Sequence, residues 1–181
     1  MIGTIQAVFI DRDGTIGGSD KVVYLGDFQL FPYVLDSIKH LKAAGALVFS
    51  FTNQPGISKG EAKREGFEKE LASFGFDQVY LCPHQHHEGC FCRKPSIGML
   101  SQAAKEYNLD LKNCVVIGDR WTDLLAAEEA GCIKILVKTG AGGEAFYKYA
   151  NKEYFGRWRE VRPDFIANDL EEAVKWLRET F

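Results

Sequence analysis

Residues 5–15, which read Ile-Gln-Ala-Val-Phe-Ile-Asp-Arg-Asp-Gly-Thr, decide the fold of this protein. The segment Ile5–Ile10 is an apolar run with one polar break at Gln6, typical of a strand buried on both faces. Asp11 and Asp13 come directly after it, and Gly14 permits a tight turn. An Asp-x-Asp loop on its own is more typical of a solvated turn. Its meaning therefore depends on the residues at the ends of the other strands.

The rest of the chain repeats the alternation of strand and helix. Further strands are predicted at Ala46–Phe51, Val79–Leu81, Cys114–Ile117, Ile133–Val137 and Asp164–Ala167. Helical spacing of apolar residues occurs in five segments: 34–44, 67–74, 99–107, 124–130 and 170–177. This alternation predicts an α/β fold with a Rossmann-like, doubly wound, mainly parallel sheet. No long insert interrupts the segments after the first two strands, so we expect a capless single domain over residues 1–181.

Two details of the later chain are also predictions. Gly140–Gly143 is expected to be a loop, and Asn168 or Asp169 is expected to cap the last helix. The polar and aromatic segment Glu144–Arg162 has no clear periodicity, and its structure is left open.

Composition excludes several classes of protein. The chain has 181 residues, of which 46% are hydrophobic and 26% charged, as is typical of a globular domain rather than a disordered one. A net charge of −3 provides no basic field for nucleic acid. No apolar run approaches the roughly 18 residues of a membrane span, and Met1–Phe9 lacks signal-peptide features. We expect a soluble cytoplasmic protein with no nucleic-acid or membrane partner, and we favour a monomer.

Polar residues also come after the other predicted strands. Thr52-Asn53 ends the second strand, Arg93-Lys94-Pro95 precedes the third helix, and Asp119 ends the fourth strand with Asp123 four residues later. Each group has an ordinary explanation, as a polar loop, a solvated basic pair or a helix cap. Caps and turns do not readily explain all the groups in this order at one edge of a parallel sheet, where ligands bind.

Together these motifs resemble the haloacid dehalogenase superfamily of phosphohydrolases, over Asp11 to about Gly140. The resemblance implies that Asp11 is a nucleophile forming an aspartyl-phosphate and that Asp13 is the general acid and base. It implies that Thr52 and the Asn53 backbone hold phosphoryl oxygens and that Lys94 neutralises charge. It also implies that Mg²⁺ lies between Asp11, the Asp13 carbonyl and Asp119, supported by Asp123. Phosphoryl transfer needs mainly positioning and charge stabilisation, which agrees with these roles.

A second group of residues has the composition of a zinc site. Three thiols and one imidazole (Cys82, His84, Cys90 and Cys92) form a closed tetrahedral set, which predicts a structural zinc loop over residues 82–92. The alternative is a reduced cysteine cluster with solvated histidines. His84 is favoured as the fourth ligand by spacing, while His86 and His87 stay open.

The zinc set narrows the resemblance to one branch of the superfamily. Cys-Pro-His at 82–84 and Cys-Phe-Cys-Arg-Lys-Pro at 90–95 resemble the heptose 1,7-bisphosphate and histidinol-phosphate phosphatases. The resemblance implies a small phosphorylated metabolite as substrate. Arg93 and Arg120 are predicted to hold a second anionic group, which favours a sugar bisphosphate.

Two alternatives stay open, and departures from that branch's pattern bear on the first of them, which concerns the substrate. Gly17-Gly18-Ser19-Asp20 and Arg120 differ from the usual residues at their positions, both near the leaving-group pocket. Histidinol phosphate is the first alternative, with Asp20 or Asp27 facing its cationic end. The second is a non-catalytic zinc-loop binding module on the same fold.

Overall fold

The predicted strands form one six-stranded parallel sheet in the computed structural model, which describes residues 4–181. Residues 1–3 of the predicted segment Met1–Phe9 lie outside the described residues. The strands are β1 (Ala7–Ile10), β2 (Leu47–Asn53), β3 (Gln78–Cys82), β4 (Cys114–Gly118), β5 (Ile133–Val137) and β6 (Phe165–Ala167). Their order is β3-β2-β1-β4-β5-β6, and all neighbouring pairs are parallel. The α/β, doubly wound fold class is confirmed.

The helices cover both faces of the sheet. They are α1 (Val34–Ala43), α2 (Arg64–Ser73), α3 (Gly98–Tyr107), α4 (Trp121–Ala130), α5 (Gly142–Ala150), α6 (Arg157–Glu160) and α7 (Leu170–Thr180). Apolar side chains of α1, α2 and α7 pack on one face of the sheet, and those of α3 and α4 pack on the other. The strands supply both cores because neighbouring side chains point to opposite faces: Val8 and Ile10 join the first core, and Ala7 and Phe9 the second.

Three local details refine the sequence predictions. The predicted loop Gly140–Gly143 is wrong at its end, because α5 already begins at Gly142. Asp169 is the cap of α7, and its side chain accepts a hydrogen bond from the Glu172 N–H at 2.9 Å. The segment 144–162 contains most of α5 and all of α6. It packs through Ala145 and Val161 against Leu124 and Leu136, an apolar patch that only the folded sheet creates.

The sheet topology places the switch point at β1. Because β1 lies between β2 and β4, the chain leaves β1 and β4 in opposite directions, and a crevice opens at their carboxyl ends. Residues 11–33 and 54–63 contain neither a helix nor a strand of the sheet, so no cap domain covers this crevice in the described residues. Within residues 4–181, the helices are too short and too polar for any of them to cross a membrane.

Candidate active site

Lys94 lies at the centre of the crevice. Its ammonium group is 3.0 Å from Asp11 Oδ1 and 2.6 Å from Asp123 Oδ1, and it donates to the Phe51 carbonyl at 2.8 Å. Lys94 is only 5% exposed. Burial opposes its charge, but Asp11 and Asp123 outweigh that effect and raise the pKa of Lys94. The lysine is therefore a cation fixed beside the Asp11 carboxylate.

Asp11, Asp119 and Asp123 form a buried cluster of carboxylates. One oxygen from each lies within 4.8 Å of the others. The Ala141 N–H donates to Asp119 Oδ2 at 2.8 Å and so orients that side chain. Gly14, at φ +82°, lets the turn after β1 pass against Asp119, where any Cβ would overlap Asp119 Oδ2.

The charge of this cluster fits a hard divalent cation. Burial, and then the neighbouring carboxylates Asp11 and Asp123, raise the pKa of Asp119. Burial also raises the pKa of Asp123, although Lys94 opposes it. Lys94 alone leaves the three carboxylates with excess negative charge, and carboxylate oxygens are the ligands that Mg²⁺ prefers. The donor set therefore fits Mg²⁺, with Asp123 partly engaged elsewhere because it also accepts the Arg120 N–H at 3.1 Å.

Asp13 is held by three donors. Its Oδ1 accepts from Arg12 Nη1 at 2.7 Å and from the Val23 N–H at 3.2 Å, and its Oδ2 accepts from Gln54 Nε2 at 2.7 Å. Burial raises the pKa of Asp13, while Arg12 and the hydrogen bonds from Val23 and Gln54 act against this shift. A carboxyl group with a raised pKa at this position is suited to carrying a proton.

Sequence reasoning missed Arg12, whose side chain is fully buried. Its guanidinium lies 3.7 Å from the Phe28 ring centroid, pairs with Glu70 Oε2 at 2.8 Å and donates to the Val23 carbonyl at 2.7 Å. It thus joins Asp13 to α2 and to the loop after β1. The available signal was a lone arginine between two aspartates at the end of a buried strand.

The carboxyl end of β2 supports both Asp13 and Lys94. Thr52 is buried, and its Oγ1 accepts a 2.9 Å hydrogen bond from Gln54 Nε2. The Asn53 amide brackets the backbone of Lys94, accepting its N–H at 3.0 Å and donating to its carbonyl at 3.3 Å. Gln54, to which the sequence analysis assigned no role, thus links Thr52 to Asp13.

The Cys/His loop, residues 82–92, brings its four predicted ligands together. The Sγ atoms of Cys82 and Cys92 are 3.1 Å apart, and His84 Nδ1 lies 3.2 Å from Cys92 Sγ. Cys90 Sγ is 3.5 Å from Cys82 Sγ. His86 and His87 are exposed and belong to a short 3-10 turn away from this cluster.

The donor set of the loop is compatible with zinc. Its four ligand atoms lie within 4.8 Å of one another, and three sulfurs with one nitrogen make a closed tetrahedral set. Burial raises the pKa of the Cys82 thiol. For Cys90, burial acts in the same direction, but hydrogen bonds from the Arg93 backbone and the neighbouring thiols lower its pKa to about 7. The loop thus has a thiol suited to ligation as a thiolate.

The mouth of the crevice is a cavity of about 350 Å³, within the range of small-molecule sites. Its walls include the predicted residues Asp11, Asp13, Thr52, Asn53, Arg93, Lys94 and Arg120, together with His86 and Trp158. Arg93 donates to the His84 carbonyl at 3.2 Å, which ties it to the Cys/His loop. Arg120 is exposed and donates to the Asp20 carbonyl.

Comparisons with known proteins agree with this geometry. The chain matches the family model of haloacid dehalogenase-like hydrolases over residues 19–131, and a second HAD-like model over residues 91–173. A D-glycero-beta-D-manno-heptose-1,7-bisphosphate 7-phosphatase of Haemophilus ducreyi is 37% identical over 75% of this chain and 84% of its own. The alpha-anomer 7-phosphatase of Campylobacter jejuni is 36% identical over 86% of this chain and 96% of its own.

A solved structure extends the likeness to the whole fold. The D,D-heptose 1,7-bisphosphate phosphatase of B. bronchiseptica, crystallised with magnesium and phosphate, superposes with a TM-score of 0.81. It is 30% identical, and the alignment covers 96% of this chain and 98% of that one.

Proposed function

This chain belongs to the haloacid dehalogenase-like hydrolase family, and on that premise we propose that it is a Mg²⁺-dependent sugar-bisphosphate phosphatase. The substrate class is that of D-glycero-D-manno-heptose 1,7-bisphosphate, on which its relatives are named to act. The observation that carries the proposal is the placement of Lys94 between Asp11 and Asp123, with Asp119 in the same buried cluster. This cluster provides a carboxylate nucleophile and the charges needed to bring a phosphate dianion to it.

The proposed reaction has two steps. Asp11 attacks phosphorus to form an aspartyl-phosphate, and Asp13 gives its proton to the leaving sugar oxygen. Asp13 then takes a proton from water as that water attacks the phosphorus, which frees phosphate and restores Asp11. The raised pKa of Asp13, caused first by burial, supports its role as the acid. Thr52 and the Asn53 backbone hold phosphoryl oxygens, and Lys94 neutralises charge on Asp11 and the phosphoryl group.

We assign the Mg²⁺ ligands to Asp11, Asp119 and the backbone carbonyl of Asp13. Mg²⁺ supplies charge neutralisation and orientation of phosphoryl oxygens. Asp123, paired with Lys94 and capping α4, acts in support by fixing the lysine.

Removing divalent cations is expected to abolish activity. A chelator that strips Mg²⁺ leaves the phosphate facing three buried carboxylates with only Lys94 to offset them. Activity measured after chelation and dialysis, and again after adding Mg²⁺, checks this expectation. Unchanged turnover in the chelated protein would exclude the Mg²⁺-dependent mechanism.

Structural zinc in the Cys/His loop is a second part of the proposal. Cys82, His84, Cys90 and Cys92 would fill all four positions of a tetrahedral zinc ion, which would leave none for substrate. The loop runs directly into Arg93 and Lys94, so its rigidity positions both basic residues over the crevice.

We further propose that residues 1–181 act as one cytoplasmic domain, and we keep the expectation of a monomer.

The substrate assignment depends on cations beyond the reaction centre. Lys94 is engaged with Asp11, so Arg93 and Arg120 are available to hold a second phosphate. Asp20 and Asp27, which histidinol phosphate would require near its amine, are exposed, and neither is among the residues lining the cavity. A bisphosphate therefore fits the cavity better. The non-catalytic alternative is disfavoured because Asp11, Asp13, Lys94 and Asp119 are all in place.

Arg93→Ala is expected to raise KM for heptose 1,7-bisphosphate by roughly tenfold or more, because a charge-assisted hydrogen bond to the second phosphate is lost. The rise in KM for histidinol phosphate, which has no second phosphate, is expected to be small. Steady-state kinetics on both substrates measure the difference. Arg178→Ala is the matched control, since Arg178 lines a hollow with Thr4 and Phe181 at the amino ends of the strands, away from the crevice. An equal rise in KM for both substrates would refute this role of Arg93.

A further inference from the structure

Trp158 is brought to the mouth of the crevice by the chain between β5 and β6. This segment leaves the carboxyl end of β5 and folds as α5 and the short α6, which includes Trp158. Trp158 lines the same cavity as Asp11, Asp13 and Arg120, although these residues lie far from it in sequence. The capless sheet thus receives an aromatic wall from its own later chain.

Stacked aromatic rings hold this wall in place. The ring centroids of Trp121 and Tyr154 are 4.3 Å apart with an interplanar angle of 14°. Those of Tyr154 and Trp158 are 6.4 Å apart with an interplanar angle of 20°. Trp121 Nε1 also donates to the Trp158 carbonyl at 2.8 Å. Trp121 is 3% exposed and begins α4 directly after Arg120. The position of the indole is therefore set relative to the carboxyl end of β4, where the proposed metal ligand Asp119 lies.

The chemistry of the cavity complements a sugar phosphate. Arg93, Lys94 and Arg120 provide cations, whereas Val22, Pro55 and Trp158 provide apolar surface. A sugar ring presents C–H bonds on its faces and hydroxyl groups on its rim, and the face packs well on an aromatic ring. Trp158 is half-buried and lies among the residues that line this cavity.

We propose that Trp158 is a specificity-determining residue whose indole packs against the sugar ring of the leaving group. This inference rests on the proposed function and adds the residue that recognises the sugar itself. Cations at the mouth select for phosphate, and the indole selects for a ring with an apolar face. Preorganisation by Trp121 and Tyr154 lowers the entropic cost of this contact.

The test separates sugar binding from phosphate binding. In an Asp11→Asn background, which prevents turnover, calorimetry with Mg²⁺ present measures Kd for heptose 1,7-bisphosphate and for inorganic phosphate. Adding Trp158→Ala is expected to raise the Kd for the bisphosphate about tenfold and to change the Kd for inorganic phosphate less than twofold. Trp158→Phe is expected to retain most of the affinity, because it keeps a ring face. Phe155→Ala is the control, since Phe155 is an aromatic in the same segment with 82% of its surface exposed.

Each outcome has one meaning. Equal weakening of bisphosphate and phosphate would show a merely structural role and overturn the inference, as would unchanged bisphosphate affinity. Binding of phosphate without binding of the heptose bisphosphate in the Asp11→Asn protein would overturn the proposed substrate, and the sugar contact with it. If Trp158→Ala does not fold, Trp158→Leu replaces it, since leucine is apolar but has no ring. Equal bisphosphate affinities of the Trp158→Leu and Trp158→Phe proteins would then overturn the inference.

Discussion

Asp11→Asn is expected to lower kcat by roughly 10⁴-fold or more, the scale on which removal of a covalent nucleophile acts. Asparagine keeps the size and shape of the side chain but cannot attack phosphorus to form the aspartyl-phosphate. Asp11 is 5% exposed and lies at the end of a strand that is paired on both sides. Because asparagine has the same size, the substitution is expected to leave the fold unchanged. Turnover of heptose 1,7-bisphosphate under saturating Mg²⁺ measures the loss.

Asp36→Asn provides the matched control for this substitution. Asp36 is an exposed aspartate on α1 that forms an ion pair of small expected value with exposed Lys39, its one ion-pair partner within residues 4–181. The control is expected to keep full activity, and both variants are expected to keep their zinc and their circular dichroism spectrum. Substantial turnover by a folded Asp11→Asn protein would refute the covalent mechanism.

Cys90→Ser is expected to lose the zinc and to lower kcat by up to roughly 10²-fold, since a displacement of about 1 Å at a reacting group has that effect. The loop with three remaining ligands no longer fixes the path from Cys92 to Lys94. The Asn53 clamp on the Lys94 backbone remains, so activity is expected to fall without vanishing. Metal analysis and steady-state kinetics on the same preparation measure the two effects together.

Cys132→Ser distinguishes zinc loss from general destabilisation. Cys132 is a buried thiol 3% exposed, outside the Cys/His loop. Placing a hydroxyl in its apolar surroundings is expected to lower the free energy of unfolding by about 1–3 kcal/mol while zinc content and kcat stay near wild type. Wild-type protein without zinc, or full activity in Cys90→Ser, would contradict the structural zinc site.

Much of the site could be predicted because its residues lie next to strong local signals. Apolar runs such as Ile5–Ile10 mark buried strands, and parallel strands bring their carboxyl ends to one edge, so residues after them converge without further information. Asp11, Thr52 and Asp119 were predicted in this way. The cluster of three thiols and one imidazole in the Cys/His loop could be predicted because its residues are close in sequence and chemically distinctive.

The sequence by itself thus determined the fold class, the family resemblance and the residues at the strand ends. The tertiary structure decided the burial of Arg12 between Asp13 and Glu70, the pairing of Asp123 with Lys94, and the place of Trp158 at the cavity. Local patterns report which face of an element is apolar, whereas the contacts of Arg12 with Glu70 and of Asp123 with Lys94 join residues far apart in the chain. Arg12 and Glu70 illustrate the difference, since a buried charge is tolerated only where a distant partner reaches it, and no local pattern records that distance.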